Sequence, residues 1–170
     1  MTMVLDGSGI STTGVPNLGT AQASTSGTAI TFTGIPAGVR RITVMFQGVS
    51  TSGANDVLIQ VGSGSLTTTG YLGASASIAA SGAASNFTTG IGIRAGGSSG
   101  AAATRHGAIV ITLISGNNWV AQGCIGYSDA ATAIYTGSSI ALSGTLDRVS
   151  VTTLGGTDTF DAGSINILYE

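Results

Sequence analysis

The chain has no lysine at all, and charged residues of every kind are scarce. Asp, Glu and Arg make up 7% of its 170 residues, against about 25% charged residues in a typical soluble domain. The formal net charge is −2, and only Arg40 and Arg41 are adjacent cations. Binding to nucleic acids or to anionic membranes needs clustered cations. We therefore expect neither as a partner.

Histidine, cysteine and glutamate each occur once, as His106, Cys124 and Glu170. A structural zinc site needs about four Cys or His ligands, and a disulfide needs a second cysteine. A serine or cysteine triad would have to use His106 as its base, and no Gly-x-Ser-x-Gly turn precedes a helix. A phosphate-binding loop needs the missing lysine. We therefore expect no metal, no cofactor and no catalytic residue.

Paired carboxylates are the remaining catalytic possibility, because glycosidases use two of them. Asp158 and Asp161 flank one turn, with Asp147 as a further candidate. Side chains of this type most often bond to backbone N–H groups in the turn itself. Calcium binding by the same pair is a second interpretation, and catalysis is a third. We favour the first, so the expectation of no metal and no catalytic residue stands.

Long apolar runs are also absent, and no segment approaches the roughly 18 residues of a membrane helix. Hydrophobic residues still make up 42% of the chain, and they alternate with polar ones over short stretches. Residues 41–47 form the clearest predicted strand, and residues 108–114 and 119–125 flank a hairpin turn. Turn signals recur every 8 to 15 residues or so, as in a sandwich or barrel.

The sequence therefore predicts an all-β protein, an antiparallel β-sandwich that is jelly-roll-like. Residues 28–170 are predicted to form the sandwich. Residues 1–27 are polar, small and weakly patterned, and we expect them to form a short extended N-terminal arm.

Met45 lies on the outward side of its predicted strand. Leu58 and Ile114 lie in predicted strands that are apolar on both faces. Loops could cover such a second face within one chain. Alternatively it meets another copy of the chain, and on that hypothesis these three are candidate subunit-interface residues.

Aromatic side chains are the candidates for contact with an outside surface, because sugar rings stack on exposed aromatic rings. We take Tyr71, Tyr127 and Tyr135 as candidate contact residues. Trp119 follows a hairpin turn, but it alternates with Ala121 and Ile125, so a core position is favoured. The glycine-rich and polar stretches 62–70 and 95–104 are the predicted contact loops.

Five segments resemble a module of bacteriophage and prophage virion proteins, one that often forms the distal end of tail-fibre-like proteins. They are Gly34–Phe46, Gln47–Gly53, Thr69–Gly73, Leu142–Val149 and Asp158–Glu170. The matching residues are turn and core positions, so the resemblance carries no catalytic residue over.

The resemblance implies a non-enzymatic virion structural protein, made in the bacterial cytoplasm and carried on the outside of the particle. We expect a tail-associated adhesin module that acts as a homo-oligomer, with a trimer favoured. Its expected partners are other virion proteins, tail or major capsid protein, with a host-surface glycan as a candidate ligand. Only about 27 residues precede the module, too few for a fibre shaft, so a capsid decoration protein is the alternative.

Overall fold

The computed structural model describes residues 5–6, 9–10, 15–80, 82–93, 101 and 103–170. Most of the predicted contact loop 95–104 and most of the first half of the predicted arm lie outside these residues. Every regular element in the described part is a β-strand. No helix long and apolar enough to cross a membrane occurs among the described residues.

The strands are β1 (Leu5–Asp6), β2 (Gly9–Ile10), β3 (Asn17–Leu18), β4 (Gln22–Ala23), β5 (Ala29–Thr33), β6 (Arg41–Thr51), β7 (Val57–Ser63), β8 (Ser65–Leu66), β9 (Leu72–Ile78), β10 (Ala84–Phe87), β11 (Ile91–Ile93), β12 (Arg105–Ser115), β13 (Asn118–Tyr127), β14 (Ala133–Ala141), β15 (Arg148–Thr153) and β16 (Phe160–Tyr169).

These strands form two packed antiparallel sheets, which confirms the predicted β-sandwich. The larger sheet has the order β10-β9-β14-β13-β12-β6-β16-β3, with β4 also on β16. The smaller sheet has the order β11-β7-β15-β5, with β8 also on β7. β1 and β2 pair only with each other.

Alternating side chains fill the space between the two sheets. On β6, Ile42, Val44 and Phe46 are buried while Thr43 and Met45 are half-buried on the opposite side. This is the pattern expected of a strand with one face in the core, and it confirms the strand predicted at residues 41–47.

The predicted hairpin is also confirmed, as β12 and β13. Ser115 pairs with Asn118, so the loop consists of two residues, Gly116 and Asn117. Gly116 has φ +55°, a conformation that favours glycine and is typical of the first position of a type II′ turn. Trp119, just after the turn, is 3% exposed and belongs to the core, as predicted.

The pairing of the strands is nested. The first strands of the sandwich, β3 and β4, pair with the last, β16; β5 pairs with β15, β6 with β12, and β7 with β11. The pairing is therefore that of one long hairpin, folded so that successive strand pairs lie alternately in the larger and the smaller sheet.

Two further hairpins extend the larger sheet beyond this nested set. β9 and β10 form one, β13 and β14 form the other, and β14 pairs with β9. β11 of the smaller sheet packs beneath β14 and β9. The inner faces of the added strands are therefore covered, and only their outer faces meet solvent.

Residues 17–24 of the predicted arm lie along the domain itself. Strand β3 pairs with the end of β16, and β4 pairs with its middle. The Oγ of Ser24, wholly buried, donates to the Ala162 carbonyl at 2.8 Å. Residues 17–24 thus form the edge of the larger sheet.

β6 and β16 approach each other closely where their register shifts. Gly163 lies within the second of two register shifts on β16 and has φ +89°. A Cβ on Gly163 would overlap the carbonyl group of Gly48, itself at φ +66°. Only glycine meets both requirements at position 163.

Replacing this glycine should strain the joint between β6 and β16. We expect Gly163→Ala to lower the free energy of unfolding by about 2–4 kcal/mol, because left-handed backbone strain and overpacking add. Urea denaturation followed by circular dichroism measures the loss. The matched control is Gly137→Ala on β14, where a Cβ would meet nothing within 4 Å; it should change stability by less than about 1 kcal/mol. Equal losses in both variants would contradict the steric explanation.

Candidate interaction surface

The outer side of β9, β12, β13 and β14 is a flat and almost uncharged surface, which we call the neutral face. Its residues are Leu72, Ala74, Ala76, Ile78, Ala108, Val110, Val120, Gln122, Cys124, Tyr135 and Gly137. Register pairs join them across the sheet: Ala108 to Cys124, Cys124 to Tyr135, and Tyr135 to Ala76. Met45 on β6 continues this row, because it pairs with Ala108.

Exposed apolar residues are concentrated in the larger sheet. Of the eight large apolar side chains that are exposed in the described part of the chain, six lie on its strands and none on the smaller sheet. The six are Leu18, Leu72, Ile78, Ile114, Val120 and Tyr135. Scattered exposed apolar residues are normal, but several on one sheet face mark an interaction surface.

Charge is missing from the same region. β9, β10, β13 and β14 contain no Asp, Glu, Lys, Arg or His. On β12 the charged or titratable residues are Arg105, which is buried, and His106 near the sheet end. Ordinary solvated sheet faces carry charged residues, so an uncharged face of this size is suited to contact with another uncharged surface.

The three predicted subunit-interface residues have different positions. Ile114, at the end of β12, is 65% exposed, and Met45 is half-buried beside the neutral face. Both are available to a partner.

The prediction for Leu58 was wrong, because this side chain is 1% exposed within a single chain. Its register partner is Gly92 on β11, and the ring of Phe87 lies over Gly92 where a Cβ would otherwise be. The segment between β10 and β11 therefore covers the second face of β7. Of the two alternatives, it is thus the chain itself, and not another copy, that covers this face.

The prediction of Tyr71 as a surface contact was also wrong: its side chain is completely buried. The Val61 N–H donates to its hydroxyl at 2.8 Å, and the hydroxyl donates to the Thr67 carbonyl at 3.0 Å. Burial raises the pKa of Tyr71 to about 12, and the bond from Val61 opposes this shift. Tyr71 thus ties the loop after β7 to the core.

Tyr127 is a poor contact residue for a related reason. The guanidinium of Arg105 lies 5.4 Å from the centre of its ring, a cation–π contact. Its hydroxyl is buried without a hydrogen-bond partner among the described residues. Of the three predicted tyrosines, only Tyr135 has a largely exposed side chain, at 52%.

Sequence reasoning missed Arg105, which is completely buried. Its Nη1 donates to the Ala103 carbonyl at 3.1 Å, while Nε and Nη2 have no hydrogen-bond partner in the described part of the chain. Nothing in its sequence context distinguishes it from the exposed arginines. Its position on the inward side of β12 is visible only once the register with β13 is known.

The Asp158 and Asp161 carboxylates hold the turn after β6. Asp158 accepts from the Asn55 backbone N–H and from the Asn55 side chain, both at 2.8 Å. Asp161 accepts from the Ser50 hydroxyl. Each therefore has a structural partner on another segment. No group of His, Cys, Asp and Glu residues suited to a metal ion occurs among the described residues.

The predicted contact loop 62–70 has a fixed base and an exposed tip. The Gly64 N–H donates to the Asp147 carboxylate at 3.1 Å. The hydrogen bond from Arg148 lowers the pKa of that carboxyl. Tyr71 fixes the far end, and residues 68–70 are exposed between these two anchors.

A cavity of about 540 Å³ opens at the end of the sandwich, beside the β12–β13 turn. Val39, Leu113, Trp119 and Leu146 form its apolar wall. Glu170 also lines the cavity, and its carboxylate forms an ion pair with Arg41. The volume lies in the range of about 300–1,000 Å³ of small-molecule sites, and Arg40 and Glu170 are the charged residues in its lining.

No protein-family model matches this chain, and no match was found among curated proteins or among solved structures. The surface described above is therefore the basis for considering function.

The burial of Tyr71 has a measurable consequence at high pH. The unfolded chain ionises this phenol near its ordinary pKa of about 10, but the folded chain keeps it neutral up to about 12. The resulting stability is complete below pH 10 and is lost as pH rises from 10 to 12, on the order of 2–3 kcal/mol. Urea unfolding at pH 9 and pH 12 measures this loss.

Tyr71→Phe should remove this part of the pH dependence. It should also cost about 1–3 kcal/mol at neutral pH, because the Val61 N–H and the Thr67 carbonyl lose their partner. Tyr135→Phe is the control, and it should keep the alkaline loss of the parent protein. If Tyr71→Phe shows the same alkaline loss as the parent, Tyr71 is not its source.

Proposed function

We propose that this chain is a non-enzymatic structural protein of a bacteriophage particle: a tail-associated adhesin module that acts as a homo-oligomer. The nested strand pairing is the observation that carries the proposal. When β3 and β4 are counted as one strand, β16, β15, β12 and β11 pair in turn with β3/β4, β5, β6 and β7. A jelly roll pairs its eight strands in this first-with-last order. Domains of this type recur in viral capsids and lectins. The resemblance of five segments to phage virion proteins supports the same assignment.

The composition suits a protein that is exposed on the outside of a particle. A surface without lysine has little attraction for nucleic acids or anionic membranes. One thiol and a β-rich core leave few groups to oxidise outside a cell.

The adhesin role is supported by the loop 62–70. Asp147 and Tyr71 fix the base of this loop, so its exposed residues are presented in a defined arrangement. Contact loops on a rigid scaffold are the usual arrangement in binding proteins.

The alternative is a capsid decoration protein. The nested strand pairing supports it as well, because jelly rolls are common in capsid domains. Such a protein would cover the head rather than contact the cell.

Copy number on the particle separates the two roles. Quantitative mass spectrometry of purified virions should find this chain in a few copies if it belongs to the tail, and in hundreds if it covers the head. The purified protein should also bind host cells only in the first case. The substitutions Thr68→Gly and Thr69→Gly remove the exposed side chains of the loop tip. They should weaken that binding and leave the fold intact.

Finding the chain absent from purified virions would overturn the proposed function. A reproducible turnover of a glycan by the purified protein would overturn its non-enzymatic part.

A further inference from the structure

We propose that the neutral face is a two-fold contact between two copies of this chain. The inference deepens the proposed function, because it rests on the homo-oligomer proposed there and names the surface that forms it. In this contact the larger sheets of two copies pack against each other, back to back. The homo-oligomer is then a dimer and not the trimer favoured from the sequence.

The strands that carry the neutral face support this inference. The nested set of strands already closes the sandwich, and the hairpins β9–β10 and β13–β14 are additions to it. The added strands have no charged residue. They also expose Leu72, Ile78, Val120 and Tyr135. These additions therefore widen the neutral face.

With its two flanking strands, the neutral face approaches the size of a standard interface. Neighbouring strands lie about 4.8 Å apart and each residue adds about 3.3 Å. The four strands β9, β14, β13 and β12 therefore give an area on the order of 500 Å², and the flanking strands β10 and β6 bring it to about 700 Å². A standard interface buries about 800 Å² on each partner.

A second copy fits this surface better than a charged partner does. A two-fold contact brings one patch against the same patch, so an uncharged face meets an uncharged face. The charged groups near its margin are few: Arg41 on β6, which is paired with Glu170, and Asp129 in the loop after β13. An acidic or basic partner would find no opposite charge in the centre, whereas stacked sheets about 10 Å apart need only small and apolar side chains.

The oligomeric state tests the proposal directly. Sedimentation over a range of concentrations should give twice the chain mass of 16.5 kDa. Tyr135→Arg and Val120→Arg should each weaken the association at least about 100-fold, because a cation would be buried without a partner. Both residues are exposed in one chain, so the folded monomer should persist. Leu154→Arg is the control: Leu154 is 41% exposed but lies in neither sheet, and this variant should remain dimeric.

Cys124 reports whether the association uses this face. Its thiol is exposed in one chain and lies near the middle of the neutral face. Alkylation by a maleimide should therefore be at least about tenfold slower in the dimer than in the Tyr135→Arg monomer. Cys124→Ser confirms that no other group reacts.

The possible outcomes lead to different conclusions. A wild-type chain that stays monomeric at high concentration would overturn both this contact and the homo-oligomer proposed above. A trimer, or a dimer in which Cys124 reacts as fast as in the monomer, would overturn the two-fold contact alone. The copy number on virions is measured independently, so the virion assignment can stand or fall separately.

Discussion

The burial of one row of branched aliphatic side chains between two sheets is the interaction on which everything else in this structure depends. Ile42 and Val44 on β6, Ile111 on β12, and Val149 and Val151 on β15 face inward and are almost completely shielded from water. Because the chain has few ion pairs and a single thiol, this apolar burial has to supply most of its stability. Polar contacts at the margins adjust the structure but do not hold the sheets together.

That core leaves the outer faces free, and the two sheets use this freedom differently. The return from β10 covers Leu58 on the smaller sheet, where Phe87 fills the space above Gly92. The larger sheet has no such cover in the described part of the chain. Its outer side keeps Tyr135, Val120 and an exposed thiol in solvent. One sheet is thus closed by its own chain, and the other is the surface that remains for contact.

Polar groups that the sequence offers as candidates for chemistry or contact hold loops in place. Asp158 holds Asn55, Asp147 holds Gly64, and the Tyr71 hydroxyl joins Val61 to Thr67. Each of these links joins the end of one strand to a neighbouring turn. Their combined effect is a rigid scaffold on which the tip of the 62–70 loop stands exposed. Such rigidity is consistent with a binding or structural role, in which loops must keep their shape.

The sequence by itself determined the class of the fold. Strict alternation in residues 41–47 and the glycine turn at Gly116 predicted β6 and the β12–β13 hairpin, because alternation and turn chemistry are local properties of the chain. The burial of Trp119 followed from the same alternation.

Only the tertiary structure decided which outward side chains stay exposed. Leu58 and Tyr71 looked available in sequence, yet segments far along the chain, or loops folded back, cover them. Arg105 looked like any surface cation and is buried. Whether a second strand face meets water depends on where a distant hairpin returns, and local periodicity holds no information about that. The neutral face exists because two hairpins join one sheet side by side, which only the long-range pairing could establish.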